Sequence, residues 1–542
     1  MPASRRPAAT DGQRTCVTGG GRGPIDKGAP PFYPGAMETS PFPRLCAATL
    51  AAARPAVARF AYERGRLRPR LVHLGLGAFF RAHGALFTEE VLAGESGAGG
   101  DWGIVGASLR HPDQRERLAP QDFLYTTVAN DAAGPRARLV GCLLDVLVAP
   151  ASPERLVARL AAPETAIVTL TVTEKGYCHD PATGRLDAAH PAIRHDLAHP
   201  EAPGSAVGLL VAALARRRGA GLAPFTVASC DNLPANGRLL GALVRDFAAL
   251  GEPGLAGWIE REVAFPASMV DRIVPAAAPG ESAWVAELTG LEDAAPVIHE
   301  PFGQWVIEDR FAPGGRPAWE RAGVQFAADV APFEHAKLRM LNGSHSALAY
   351  LGYLAGHESI GAAVADPLFA RFLGRFWREV IPALTAPPGL DLAVYAASLL
   401  ARYANPAIRH RTWQIAMDGS QKLPQRLLST LRENLAHDRA SPCLMLAVAG
   451  WMRYVGGRDE AGREIDVRDP LAADLRRRIE QAGPAPVDRV RALLGVSAIF
   501  GADLAADPRV AAGLTAACDA LARRGARAAI AELLDTAAPA RH

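Results

Sequence analysis

Apolar positions in the first half of the chain come in short runs separated by amphipathic stretches. The run at 70–77, RLVHLGLG, is an apolar strand that ends in glycines, and 79–93, FFRAHGALFTEEVLA, has helical spacing. DWGIVGASL (101–109), RLVGCLLDVLVAP (138–150), TAIVTLTVTEKGY (165–177) and APFTVASCDNLPANG (223–237) predict further strands. SPERLVARLAA (152–162) and GLLVAALARRRGAG (208–221) predict helices between them. Strands alternating with helices imply an α/β fold with a doubly wound, Rossmann-like parallel sheet. Past about residue 330 the strands stop. The segments 335–356, 366–384, 391–404, 422–436, 443–455 and 513–534 all carry helical periodicity, so the C-terminal domain is expected to be mostly α-helical. The expected division is a disordered tail and lead-in at 1–65, a nucleotide-binding domain at 66–258 and a helical substrate domain at 259–542. The boundary lies between about 258 and 330, where the pattern fixes no single point.

Composition narrows the class. The chain has 542 residues and is 49% hydrophobic, ample for a large core and for two domains. Its net charge of +3 resides in residues 1–36, which hold five basic and two acidic side chains and 13 Gly or Pro. That segment has no burial pattern and is expected to be disordered, with Met37 an alternative start. The remainder is neutral and shows no basic stripe, which argues against a nucleic-acid partner. Seven scattered cysteines without C-x-x-C suggest a reduced, cytoplasmic protein with no structural zinc. No apolar run reaches the ~20 residues of a membrane helix, and no secretory signal opens the chain. The expected assembly is a monomer or a weak homo-oligomer.

The glycine turn reads Gly75-Leu76-Gly77-Ala78-Phe79-Phe80-Arg81. Glycines after a first strand let a dinucleotide pyrophosphate approach the backbone at a helix N-terminus. Phe80 stands where the usual third glycine would fall, so the fingerprint is incomplete; an ordinary tight turn explains it equally well. After the second strand, Asp113 is a candidate for the ribose hydroxyls of NAD, while Arg110 is a candidate for the extra phosphate of NADP; NAD is the favoured reading.

With no metal-ligand cluster, carbonyl chemistry must rest on side chains. The stretch Lys337-Leu-Arg-Met-Leu-Asn342-Gly-Ser-His345 offers them together. At roughly 100° per residue, Lys337, His345 and Asn342 fall at about 0°, 80° and 140° on one side of a helix. A lysine becomes a general base when burial and nearby positive charge lower its pKa, and an amide can donate to an oxyanion. A solvated surface lysine is the bland alternative.

This stretch, together with HLGLGAFFRAH, LTVTEKGYC, SCDNLPANG, FPASMVDRIVP, EPFGQWVIEDRF and HRTWQIAMDGSQKLPQR in that order, resembles the mannitol dehydrogenase family of polyol-specific long-chain dehydrogenases from about residue 68 to past 500. The resemblance implies a metal-independent, NAD-linked enzyme. It implies Lys337 as general acid–base, Asn232 and Asn342 as the two halves of an oxyanion hole, His345 on a substrate hydroxyl and Asp271 as an acid near the base. It also implies Gly75, Gly77, Phe79 and Arg81 at the cofactor. Phe80 departs from the family's usual histidine there. Asn232 could instead stabilise the turn before Pro234, and Asp271 could pair with Arg272 or Arg261. Segment 408–426 resembles the fructuronate reductase branch. Gln414 stands where mannitol-type members carry Arg, and Arg411, Lys422 and Arg426 are available to a carboxylate, Arg426 being the one most readily read as a surface charge. The implied ligand is a sugar acid, namely mannonate or fructuronate. The alternatives are a mannitol or D-arabinitol 2-dehydrogenase, and an inactive NAD or sugar-acid sensor.

Overall fold

The structure, a computed structural model, describes residues 41–94, 100–180, 183–408 and 410–536. The expectations for 1–36, including the alternative start at Met37, lie outside the described residues. The described strands are β1 (Arg68–Leu74), β2 (Trp102–Ser108), β3 (Tyr125–Asp131), β4 (Gly134–Val140), β5 (Leu143–Val148), β6 (Ile167–Leu170), β7 (His179–Asp180), β8 (Arg185–Leu186), β9 (Thr226–Ser229), β10 (Ser268–Asp271), β11 (Val297–His299), β12 (Gln304–Glu308) and β13 (Gln325–Ala327).

The central sheet is parallel, in the order β5-β2-β1-β6-β9. β2, β6 and β9 are buried along their whole length because helices cover both faces, so their sequences read as unbroken apolar runs. The order reverses beside β1, which places a crevice at the carboxyl ends of β1, β2 and β6. The doubly wound sheet is as the periodicity predicts.

Three details differ from the sequence reading. The helix expected at 79–93 is broken at His83 (φ −126°, ψ −92°) into Ala78–Ala82 and Gly84–Ala93. Residues 41–65 are an ordered lead-in: Leu45 and Val57 are fully or nearly fully buried, and Ala58 exchanges backbone hydrogen bonds with Ala137 and Leu139. The apolar residues of this segment are mostly alanines without a helical or strand period, so its order left no pattern in the sequence. Finally, β10 to β13 fall within the stretch assigned to the helical half. β11 pairs with β3, and β10, β12 and β13 form their own small sheet. Strands of three to five residues are too short for a period of two to register.

From Ala331 onward the described chain has no strands. The Gly343–Leu354 helix is buried on nearly all sides, which is why it reads as apolar all round. Its core is shared with Pro367–Val380, Pro442–Tyr454 and Pro508–Asp535, whose Phe372, Phe376 and Trp451 are completely buried. No described helix is long and apolar enough to cross a membrane.

Candidate active site

A cavity of about 520 Å³ opens at the carboxyl ends of β1, β2 and β6. Gly75, Ser108, Arg110, Asp113, Thr171 and Lys175 are among its lining residues. Gly75 has φ +90°, and a Cβ there would sit 2.1 Å from the Thr171 carbonyl oxygen, so only glycine fits this turn. The Ser108 hydroxyl is buried without a partner and Asp113 opens the helix after β2. A crevice with a glycine turn, an orphaned hydroxyl and an acid at the strand ends fits the adenosine end of a dinucleotide.

The other three cofactor candidates lie elsewhere. Gly77 caps the Ala78–Ala82 helix and Phe79 stacks on His83 at 5.0 Å. Arg81 turns away from the cavity, donates to the Ala295 carbonyl and lies over the Tyr125 ring, so its visible work is to tie the first helix to the small-sheet region. Phe80 stacks at 3.4 Å on His73, whose two ring nitrogens meet Thr169 and Thr171, each at 2.8 Å.

Lys337 is 5% exposed and opens a π-helical segment, Lys337–Asn342, between two α-helical stretches. A regular α-helix throughout would put Asn342 about 140° from Lys337. Hydrogen bonds spaced i→i+5 widen the turn, so each residue turns through less than ~100° and five residues complete little more than one turn. Asn342 is thereby swung back toward the Lys337 side. The carbonyls displaced by the widening find partners: Met340 accepts from the Trp377 indole at 3.1 Å, and Leu341 accepts from the Tyr403 hydroxyl at 2.7 Å. Such substitution for lost ladder bonds is what makes a buried π turn tolerable.

The Lys337 ammonium donates to the Asn232 amide oxygen from the loop after β9. The amide NH2 of Asn232 is left for another acceptor. The Asn342 amide makes no protein hydrogen bond among the described residues, although the residue is 7% exposed. Burial lowers the Lys337 pKa to about 8, helped by Arg426 and Arg402 and opposed by Asp271 and Glu334. Glu334, one turn earlier, accepts from the Ala235 amide and so ties this helix to the Asn232 loop; burial raises its carboxyl to about 7.

Asp271 does not pair with Arg272 or Arg261. Both its oxygens accept from Arg402, at 2.7 and 3.1 Å, and Arg402 also grips Glu300 at 2.7 and 3.0 Å. Burial alone would raise the Asp271 pKa, but Arg402 outweighs it and holds the carboxyl below its ordinary value. Its oxygens are therefore engaged within the protein, and Asp271 reaches the lysine as a charge. Nothing local marked Arg402 or Glu300, because they meet Asp271 from helices and loops far away in sequence.

His345 stacks on Tyr403 at 4.8 Å and meets the edge of His410 at 4.7 Å. Burial, then His410 and Arg426, hold His345 neutral, and its Nε2 is buried without a partner. The His410 Nδ1 is likewise orphaned, and burial lowers that imidazole to about 4. His410, the first residue of HRTWQ, carries no local signal of its own in the sequence.

A second π turn, Pro424–Leu428, packs against the first. Gly343 permits the approach, since a Cβ there would lie 2.8 Å from the Arg426 carbonyl oxygen. Arg426 sits on this turn. Its Nη1 donates to Ser346 at 3.2 Å, its Nε is buried and unpaired, and burial lowers its pKa to about 10. It is not the surface charge the sequence suggested. Lys422 donates to the Ile415 and Met417 carbonyls, and burial followed by Arg426 lowers it to about 8. Neither cation has a carboxylate within ion-pair distance among the described residues. Arg411, by contrast, is exposed at the start of the Thr412–Ala416 helix, and Gln414 is half-buried within it. Among the described residues no three His, Cys, Asp or Glu side chains are arranged to hold a metal.

The chain matches the mannitol dehydrogenase Rossmann domain over residues 69–321 and the mannitol dehydrogenase C-terminal domain over 329–522. It is 48% identical over 482 residues to the D-mannonate oxidoreductase of Escherichia coli (strain K12), covering 88% of this chain and 98% of that protein. It is 41% identical over 481 residues to a mannitol 2-dehydrogenase of Cereibacter sphaeroides, covering 88% and 99% respectively. Among solved structures, the Pseudomonas fluorescens mannitol 2-dehydrogenase ternary complex with NAD and D-mannitol superposes with a TM-score of 0.84 at 38% identity, over 91% of this chain and 99% of that one.

Proposed function

This chain belongs to the mannitol dehydrogenase family and is an oxidoreductase; from that premise we propose that it interconverts D-mannonate and D-fructuronate with NAD. The observation that carries the substrate is the pair of largely buried cations without a carboxylate partner among the described residues, Lys422 and Arg426, beside the orphaned imidazoles of His345 and His410. A buried charge without a partner is costly, and a substrate carboxylate supplies the missing one. The similarity to a D-mannonate oxidoreductase points the same way. Residues up to about 330 form the cofactor part in this reading, and those beyond it the substrate part.

NAD, when bound, supplies or accepts the hydride. Asp113 and the Ser108 hydroxyl would hold its ribose, and the Gly75 turn its pyrophosphate. Lys337 moves the proton: as an ammonium it gives one to the oxygen of the reduced carbonyl, and as an amine it takes one from the alcohol. Since Lys337 donates to the Asn232 oxygen, the Asn232 NH2 and the Asn342 amide are free to donate to that same substrate oxygen. Asp271, held by Arg402, keeps an opposing charge near the lysine, so that the pKa stays near 8 instead of falling further. No step in this account calls on a metal. Unbridged cysteines throughout the described chain support a reducing, cytoplasmic setting.

A mannitol 2-dehydrogenase is the second reading, favoured by the mannitol-linked relatives. Steady-state oxidation of D-mannonate and D-mannitol with NAD separates the two. The proposal expects mannonate to be preferred by about 10²-fold or more in kcat/KM, as when a site's polar groups lose their partner. Equal or better use of mannitol overturns it.

A further inference from the structure

A second cationic cavity lies within the helical half. It has a volume of about 480 Å³ and is walled by the helices Pro442–Tyr454, Ala472–Gln481, Pro486–Leu494 and Pro508–Asp535. Among the described residues four arginines line it, Arg453, Arg458, Arg476 and Arg489, with Glu480 as the one acid. Glu480 is committed to Arg476 at 3.0 Å. Of the acids nearby in sequence, Asp459, Asp488 and Asp519 pair with Arg463, Arg491 and Arg523, and Glu460 accepts from the Ala526 amide.

Three positive charges are left. Arg453 makes no side-chain hydrogen bond or ion pair among the described residues, and its Nε is fully buried without a partner. Among the described residues Arg489 likewise has no ion pair, and the Arg458 side chain has the Gly462 carbonyl alone, at 3.0 Å. Arg453 and Arg489 converge, since both act on the thiol of Cys518. The lining also includes the apolar Met452, Ile479 and Val490. Guanidinium groups gathered without a counter-charge repel one another, and a buried N–H without an acceptor costs free energy; both are relieved by an oxyanion that takes several of these donors at once.

We propose that this cavity is a binding site for a compact organic anion with two or more negative charges, carried by carboxylate or phosphate groups, and that it is separate from the dehydrogenase site. Arg453 holds the anion from the cavity floor, and Arg489 and Arg458 hold it from the rim.

The test is isothermal titration of the full-length protein in low-salt buffer with citrate and, separately, with pyrophosphate. The lysine and arginine of the dehydrogenase site also attract anions, so Lys422→Met is titrated alongside. The expected result is binding of at least one probe with a Kd on the order of millimolar or tighter, weakened by salt. Arg489→Gln should weaken it about tenfold and Arg453→Met more, while Lys422→Met leaves it in place. The exposed Arg489 keeps the test valid if Arg453→Met fails to fold. Citrate alone would assign a carboxylate ligand, pyrophosphate alone a phosphate, and both would support the site. Absence of binding for both probes overturns it, as does binding that survives Arg489→Gln or disappears in Lys422→Met.

Discussion

The parallel sheet and the helical half present chemistry in opposite ways. The sheet does so with regular structure: strands end, the chain turns at Gly75, and groups at the strand ends face a crevice. The helical half buries its site inside a helix that is apolar on nearly all sides, and reaches it only by departing from α-geometry. Both distortions, Lys337–Asn342 and Pro424–Leu428, are π turns, and they touch at Gly343. The first carries Lys337 and Asn342, the proposed base and oxyanion donor; the second carries Arg426. A binding crevice can thus be a by-product of topology, whereas a buried polar site has to be built from irregularity and needs a ligand to complete its hydrogen bonds.

The sharpest way to break this contrast is at the base. Lys337→Ala should lower kcat by about 10³-fold or more, since it removes the group that moves the proton. Cofactor affinity, measured by NADH fluorescence titration, should survive, because Lys337 lies on the distorted helix and not in the crevice. Comparable losses in both would mean that the two regions are not separable.

Next is the ion cluster that buttresses the lysine. Arg402→Met leaves Asp271 and Glu300 buried without their cation and should destabilise the fold by about 3–5 kcal/mol, read from denaturant unfolding. A change under about 1 kcal/mol would show that the cluster is not a support.

Gly343→Ala should push the two π turns apart, costing about 1–3 kcal/mol in stability and lowering kcat while NADH binding persists. Wild-type turnover would remove the claim that the contact of the two turns shapes the site.

The pH profile separates the turns by charge. Lys337, lowered to about 8, must be neutral to oxidise an alcohol and charged to reduce a ketone. Oxidation of mannitol should therefore rise with pH through about 8 and level off, and fructose reduction should fall through the same range. Lys422 also discharges near 8, so kcat/KM for mannonate should instead pass through a maximum. A mannonate profile that rises and levels off like that of mannitol would dissociate Lys422 from the carboxylate. The smallest expected effect is that of prolonged EDTA treatment, which should leave turnover unchanged; loss restored by Zn²⁺ would contradict the lysine mechanism.

How much could be read in advance follows the same contrast. The strand–turn–helix order at 70–93 and the helical run at 335–356 were legible because burial imprints a period on residue types. The π turns were not, because widening a turn changes which residues face one another without changing which residues are present. The pair Lys337 and Asn342 was visible, but its true disposition was hidden. Arg402 was hidden for another reason: its partners Asp271 and Glu300 lie 131 and 102 residues away. Arg426 looked like a surface charge because nothing in QKLPQR shows that a neighbouring helix buries it.

The most direct measurement is the ratio of kcat/KM for D-fructuronate to that for D-fructose, with NADH, on the wild type and on Lys422→Met. The account predicts a ratio of about 10² or more in the wild type, collapsing toward unity in the variant through loss of fructuronate efficiency while fructose is little changed. A wild-type ratio near unity, or a high ratio that Lys422→Met leaves intact, would contradict it.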